Sequence, residues 1–167
     1  MRRCTQVGYG LLYALGALAC APVALIAQSA FAPMPQGELR LEVAATPAAG
    51  VSAGLGVNVR AGYYARVGVH AMAGLARRGE GFIGVQRVEA VSRFLFDPFG
   101  EFPRGLYGGG GFAVRRTPGD PARGDLVVVV GVEGRRTAQP TIPSVELALG
   151  GGARLTVVLR RRRPTGR

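Results

Sequence analysis

Alternation of apolar and polar side chains is the dominant pattern of this chain. It is clearest in Ser144–Arg160, where aliphatic residues occupy every second position with Gly151 as the single gap. Glu146 and Arg154 fall on the opposite parity. A period of two predicts a β-strand with one apolar face and one face that is small or polar.

The same alternation recurs in earlier segments, and no stretch shows a helical period. The further predicted strands are Glu38–Ala45, Val51–Arg60, Tyr63–Leu75, Phe82–Phe96, Leu106–Arg116 and Asp125–Arg136. Glycine and proline mark the turns between them, as in the loop Thr117–Gly124. Strands joined by short polar turns predict an antiparallel up-and-down meander, and closure into a barrel removes its unpaired edges.

The number of strands depends on how the last segment is divided. Membrane barrels of bacteria use even strand numbers, and the segments above give an odd one. Splitting the last segment at Gly150–Gly152 gives eight strands, although its halves are then shorter than the ~9–11 residues that cross a bilayer. Fusing the first two segments gives six long strands instead. We predict an all-β fold, an antiparallel up-and-down β-barrel over residues 38–160 with eight strands, and keep six as the alternative.

The composition of the polar face indicates which side points inward. Glycine weakens a solvent-facing strand, whereas a narrow barrel interior has room for little else. The glycines of this face are Gly54, Gly56, Gly68, Gly74, Gly109, Gly111, Gly131, Gly150 and Gly152. The polar face is therefore predicted to be enclosed, with the aliphatic face towards lipid.

Charges of both signs share this face, and enclosed charges must pair. In the last strand, Glu146, Gly150, Gly152 and Arg154 are expected to line the interior, with Arg154 near a glutamate of a neighbouring strand. A solvated face with surface ion pairs is the alternative. The predicted lumen charge network comprises Glu42, Arg66, His70, Arg87, Glu89, Arg93, Glu133, Glu146 and Arg154.

The start of the chain has the features of an export signal. Arg2 and Arg3 precede the apolar run Leu11–Ala19, and small residues follow, so residues 1–30 are predicted to be a signal peptide. An uncleaved N-terminal anchor is the alternative. Residues 31–37 form a proline-rich linker, and residues 161–167 form a basic C-terminal tail. Cys4 and Cys20 both lie in the signal segment, so the mature chain has no cysteine for a disulfide or a thiolate metal site.

Together these features resemble the small outer-membrane β-barrels of bacteria, the OmpA-type transmembrane domain and its relatives. The resemblance rests on the export signal, the amphipathic strands, the glycine-rich charged face and aromatic residues near strand ends. Those aromatic residues are Tyr63, Phe82, Phe94, Phe96 and Phe112. It implies a transmembrane barrel that contacts the lipid bilayer and lipopolysaccharide, and we expect a monomer. The chain departs from the pattern in having no tryptophan and in ending with arginine-rich sequence.

Candidate chemistry is sparse. His70 is the only histidine, and none of the serines has a motif spacing from it that would indicate a catalytic triad. One histidine without cysteine cannot build a zinc site, and the glycine run Tyr107–Gly111 lacks the helix and lysine of a phosphate loop. The arginine tail lacks aromatic residues for stacking on bases. No enzyme activity, cofactor, metal or nucleic acid is expected.

The predicted function is that of an exported outer-membrane β-barrel with a structural or surface role, or a porin-like role as a narrow pore, without catalysis. The alternative is a soluble periplasmic β-barrel that binds an apolar or anionic ligand. Val127–Val130 supports that alternative, because it places valine on both faces of its strand. A lipid-modifying enzyme that uses His70 is a third hypothesis.

Overall fold

A closed barrel of eight antiparallel strands forms the described part of the chain, residues 34–45, 48–99, 101–134 and 140–161 of the computed structural model. The strands are β1 (Gln36–Ala44), β2 (Gly50–Ala61), β3 (Ala65–Arg78), β4 (Gly81–Leu95), β5 (Gly105–Arg116), β6 (Arg123–Glu133), β7 (Thr141–Leu149) and β8 (Ala153–Arg161). The eight-stranded up-and-down barrel predicted from the sequence is confirmed, and the alternative with six long strands is wrong.

Several predicted segments fall outside these residues. The signal peptide of residues 1–30, both cysteines and residues 162–167 of the basic tail lie outside the described part. Gln36, assigned to the linker, begins β1, and Arg161, assigned to the tail, ends β8. Within the described residues, no helix is long and apolar enough to cross a membrane.

Each strand pairs with the next one in sequence, and β1 pairs with β8 to close the barrel. In that closing pair Glu38 lies opposite Arg160, and Ala44 lies opposite Arg154. Residues that face each other across two antiparallel strands point to the same side of the sheet. The polar faces of β1 and β8 therefore meet inside the barrel.

The glycine triplet that divides the last predicted strand forms the turn between β7 and β8. Gly150, Gly151 and Gly152 have φ of 125°, 63° and 133°, a region that side chains disfavour. The prediction that Gly150 and Gly152 line the interior is wrong, because they make this turn. Since Leu149 pairs with Ala153 across three residues, the outward parity is the same in both strands, and the alternation runs through the turn unbroken.

The turn also resolves the question of strand length. β7 begins at Thr141 instead of Ser144 and has 9 residues, and β8 has 9 as well. Both strands reach the ~9–11 residues that a membrane crossing requires. The extra residues of β7 are Thr141, Ile142 and Pro143, which continue the strand ahead of the predicted segment.

Substitution of Gly150 by alanine is expected to destabilise the barrel by about 1–3 kcal/mol, since a side chain at this φ is strained. The added Cβ would also lie 2.9 Å from the main chain of Val127. Urea unfolding in detergent micelles, followed by circular dichroism, measures the change. Gly37→Ala is the control, because no heavy atom lies within 4 Å of its added Cβ. Equal loss in both variants would contradict the expected strain.

The outward face of the barrel is aliphatic. Leu41, Leu55 and Leu147 are exposed by 53%, 68% and 52%. The valine run that is apolar on both faces obeys the same alternation, with Val127 buried and Val128 exposed by 57%. The buried valines join a small apolar layer inside the barrel, formed by Val91, Ala113, Val127, Val129 and Ala148.

Glycine on the inward face allows the strands to pack tightly around the interior. A Cβ added to Gly109 would lie 2.9 Å from the Cα of Arg93, and one added to Gly111 would lie 2.7 Å from the Cα of Val91. Contacts this short do not occur for real side chains, so these positions of β5 require glycine.

Candidate functional site

The interior of the barrel is filled with paired charges. None of the charged residues inside the barrel is more than 7% exposed, and Arg93, Glu146 and Arg160 are fully buried. Stripping water from an ion costs several kcal/mol, so such groups are tolerated only with partners. The interior charges are those of Glu38, Arg40, Glu42, Arg66, Arg87, Glu89, Arg93, Glu133, Glu146, Arg154 and Arg160, with His70 among them.

All nine residues assigned to the lumen network from the sequence lie in this interior. Glu38, Arg40 and Arg160 lie there too, although they were not assigned to it. Their signal was present in the sequence, because they share the inward parity of Glu42 and Arg154 in the same two strands. Although Glu38 and Arg160 lie near the ends of β1 and β8, their long side chains still reach the interior.

Glu146 of β7 is the centre of the larger group of ion pairs. Its Oε1 accepts hydrogen bonds from Arg93 Nε at 2.8 Å and from the Tyr107 hydroxyl at 3.0 Å. Its Oε2 accepts from Arg93 Nη2 at 3.3 Å and from Arg40 Nη2. One carboxylate thus connects β1, β4, β5 and β7 across the barrel.

The ion pairs continue from Arg40 towards the end of the barrel where β1 begins. Arg40 and Arg160 each lie 3.0 Å from a Glu38 oxygen, and Arg160 also lies 2.8 Å from Glu133. Arg66 donates to the same Glu133 oxygen at 2.8 Å. We call this group, together with Arg93 and Glu146, the Glu146 cluster.

A second group, the Glu42 cluster, occupies the other half of the interior. Glu42 Oε2 accepts from Arg87 Nη2, and Arg154 Nε lies 3.8 Å away on the adjacent β8. Arg154 Nη1 lies 2.7 Å from Glu89 of β4, on the far side of the barrel. His70 Nε2 lies 2.9 Å from the other Glu89 oxygen. Among the described residues, no ion pair joins the two clusters.

In the described part of the chain, no serine hydrogen bonds to His70. Within the described residues its Nδ1 has no hydrogen-bond partner, so no serine is activated by it. Ser92 is exposed on the outward face, and Ser144 lies on β7, which does not pair with the strand of His70. The described part of the chain also contains no group of three or more metal-ligating side chains placed to hold a metal ion.

Replacing Tyr107 with phenylalanine is expected to lower the free energy of unfolding by about 1.5–3 kcal/mol, the range for a hydrogen bond to a charged group. The lost hydroxyl donates to Glu146 at 3.0 Å, and Tyr107 is 1% exposed, so no water replaces it. Urea unfolding of both proteins in the same micelles tests this. Tyr64→Phe, in the exposed β2–β3 turn, is the control and should change stability little.

Comparison with known proteins adds a structural relative. No protein-family model and no curated protein sequence matches the chain. Among the solved structures, the crystal structure of Neisserial surface protein A is similar, with a TM-score of 0.59 and 16% sequence identity. The match covers 77% of this chain and 96% of that one. The chain has the fold of the small bacterial outer-membrane barrels.

This small-barrel fold is the one that the sequence resemblance implied. At 16% identity the similarity is one of fold. It gives no information on the charged residues inside this barrel. The charged side chains inside the barrel come from strands all around the closed sheet. Such an interior can hold the strands in one register and can block passage along the axis.

Proposed function

We propose that the chain is exported and embedded in the outer membrane as a monomeric β-barrel, with a structural or surface role and no catalysis. One observation carries this proposal: the apolar face points outward around the whole barrel, and the charges are enclosed. Leu126, for example, is 80% exposed, while Arg93 is fully buried. Lipid is the solvent that suits such an exterior, and the lipid bilayer with its lipopolysaccharide is the proposed partner.

The orientation of the faces argues against the soluble periplasmic alternative. A soluble barrel that binds an apolar ligand needs an apolar interior, and here the interior contains the Glu146 and Glu42 clusters. An aliphatic surface of this extent in water would favour association. Val127–Val130, which supported the soluble barrel, point alternately into the barrel and outward, so they do not form an apolar interior.

The filled interior favours a closed barrel over a narrow pore. Arg93, Tyr107 and Glu146 form a layer of side chains at most 1% exposed, held together by hydrogen bonds across the barrel. A surface role is supported by the name of the structural relative, Neisserial surface protein A. In planar bilayers we therefore expect no stable ion conductance, and regular conductance steps would favour the pore.

Exposed aromatic rings at one end of the barrel support the membrane location. Phe99 lies 6.1 Å from Tyr63 and 6.3 Å from Tyr64, measured between ring centroids, beside the β2–β3 turn. Phe94 and Phe96 are 58% and 70% exposed at the end of β4. Aromatic side chains of this kind gather at the interface between lipid and water. Phe112, predicted near a strand end, lies inside β5.

Fractionation of cells that express the full chain tests the proposed location. The protein should stay with outer membranes after salt washing and should dissolve only in detergent. Unheated samples should migrate differently from boiled samples in a denaturing gel, because a closed barrel resists unfolding by detergent. Recovery in the osmotic-shock fraction, with no heat-dependent mobility, would favour the soluble barrel.

A further inference from the structure

An arginine-lined cavity lies at the end of the barrel opposite the strand ends Gln36 and Arg161. It has a volume of about 230 Å³ and opens between the β3–β4 and β5–β6 hairpins. We call it the turn-side mouth. Its polar lining residues are Arg77, Arg78, Arg115, Thr117, Asp120 and Arg123.

Two of these arginines face each other directly. Arg115 of β5 pairs in register with Arg123 of β6, and on its other side with Arg87 of β4. Like charges directly opposite each other destabilise a sheet. Both residues share the inward parity of buried Ala113 and Val127, so their side chains start from the interior face.

The Asp120 carboxylate, which also lines the mouth, does not neutralise this pair. Asp120 is engaged by Arg78, with oxygens 3.2 and 3.5 Å from its guanidinium nitrogens. Arg115 donates to the Gly151 carbonyl at 3.2 Å. Within the described residues, Arg115 makes no ion pair, and Arg123 makes neither an ion pair nor a side-chain hydrogen bond. Arg87 is different, because Glu42 and Glu89 balance it.

Such an arrangement fits a multiply charged anion with several oxygens. Guanidinium groups bind phosphate through two parallel hydrogen bonds, and two opposed guanidiniums can share one phosphate dianion. Binding would convert the repulsion between Arg115 and Arg123 into attraction to a common ligand. The Thr117 hydroxyl, in the same lining, can donate a further hydrogen bond.

We propose that the turn-side mouth binds a phosphomonoester group, held by Arg115 and Arg123, with Thr117 as an additional donor. This inference rests on the proposed membrane location for its context, because the mouth then lies at the level of lipid headgroups. The phosphate can belong to a membrane glycolipid or to a free ion in the adjoining water. Both sources present the same chemistry to the two guanidiniums.

Binding is measured with the full chain folded in micelles of an uncharged detergent. The probes are a bis-phosphorylated glucosamine disaccharide lipid, the same lipid without phosphates, and inorganic phosphate as a competitor. We expect at least tenfold tighter binding of the phosphorylated lipid than of the dephosphorylated one. Competition by millimolar inorganic phosphate would identify a site for free phosphate, and lack of competition would identify the glycolipid as the source.

Variants assign the binding to the mouth. Arg115→Gln with Arg123→Gln should weaken binding at least tenfold, whereas Arg104→Gln with Arg161→Gln, an equal charge change at the opposite end, should not. The single variant Arg123→Gln alters an exposed residue and should weaken binding severalfold without affecting folding. Equal affinity of the two double variants, or equal binding of both lipids, would overturn the proposal.

Heat-dependent gel mobility of the same samples separates the two proposals. A wild-type protein that shows the mobility shift but binds no phosphate probe overturns the phosphate site and leaves the membrane barrel standing. A protein without the shift contradicts the membrane barrel itself.

Discussion

Removal of the Glu146 carboxylate by substitution with alanine should lower the free energy of unfolding by about 3–5 kcal/mol, the cost of leaving a buried ion without its partner. Arg93 is fully buried, and both of its ion-pair contacts are to Glu146. Arg40 keeps Glu38 at 3.0 Å, so Arg93 accounts for most of the loss. The Tyr107 hydroxyl loses its acceptor in the same variant.

Urea unfolding in detergent micelles measures this effect, with circular dichroism as the signal because the chain has no tryptophan. Glu80→Ala, in the exposed β3–β4 turn, is the control and should change stability by less than about 0.5 kcal/mol. If Glu146→Ala unfolds at the same urea concentration as the control, the Glu146 cluster does not stabilise the barrel.

A double substitution tests whether the loss of stability comes from the unpaired arginine or from the absence of the charges themselves. Arg93→Met together with Glu146→Leu removes both partners and fills their space with apolar groups of similar volume. Replacing a buried ion pair in this way is often neutral or stabilising, because the desolvation penalty disappears with the charges. The double variant is therefore expected to recover much of the stability that Glu146→Ala loses. Its failure to do so would show that Arg40 and Tyr107 also depend on the carboxylate.

The faces of the strands could be predicted from the sequence because side-chain direction in a strand depends only on parity. Parity put Glu146 and Arg154 on one face, and the glycine content of that face placed it inside. The turn between them entered the sequence analysis only as one of two ways to divide the segment. A turn of three residues preserves parity, so alternation alone cannot separate β7 from β8. The three consecutive positive φ angles at Gly150–Gly152 are what divide them.

The partners of the interior charges could not be predicted in the same way. Arg40 of β1 reaches Glu146 of β7, and Arg154 of β8 reaches Glu89 of β4. These contacts cross the barrel, so they depend on how the closed sheet is staggered, which single-strand periodicity does not contain. The turn-side mouth was missed for a related reason, since Arg115 and Arg123 meet only through the register of β5 with β6.

An arginine at position 128 should cost about 2–4 kcal/mol when the barrel is folded into lipid vesicles, the range measured for a cation at the bilayer midplane. Val128 is the middle residue of β6 and is 57% exposed on the outward face. Its side chain would meet hydrocarbon, where a guanidinium loses its hydration. Unfolding by urea in vesicles of neutral lipid measures the cost.

Leu106→Arg is the matched control for Val128→Arg. Leu106 is 53% exposed on the same face, but it is the second residue of β5, next to the aqueous end of the barrel. Its guanidinium can reach water, so the cost should be only about 0–1 kcal/mol. A barrel in water would make both positions ordinary surface sites, each within about 0.5 kcal/mol of the parent. The difference between the two variants therefore reports on the medium that surrounds β5 and β6, independently of any cell fractionation.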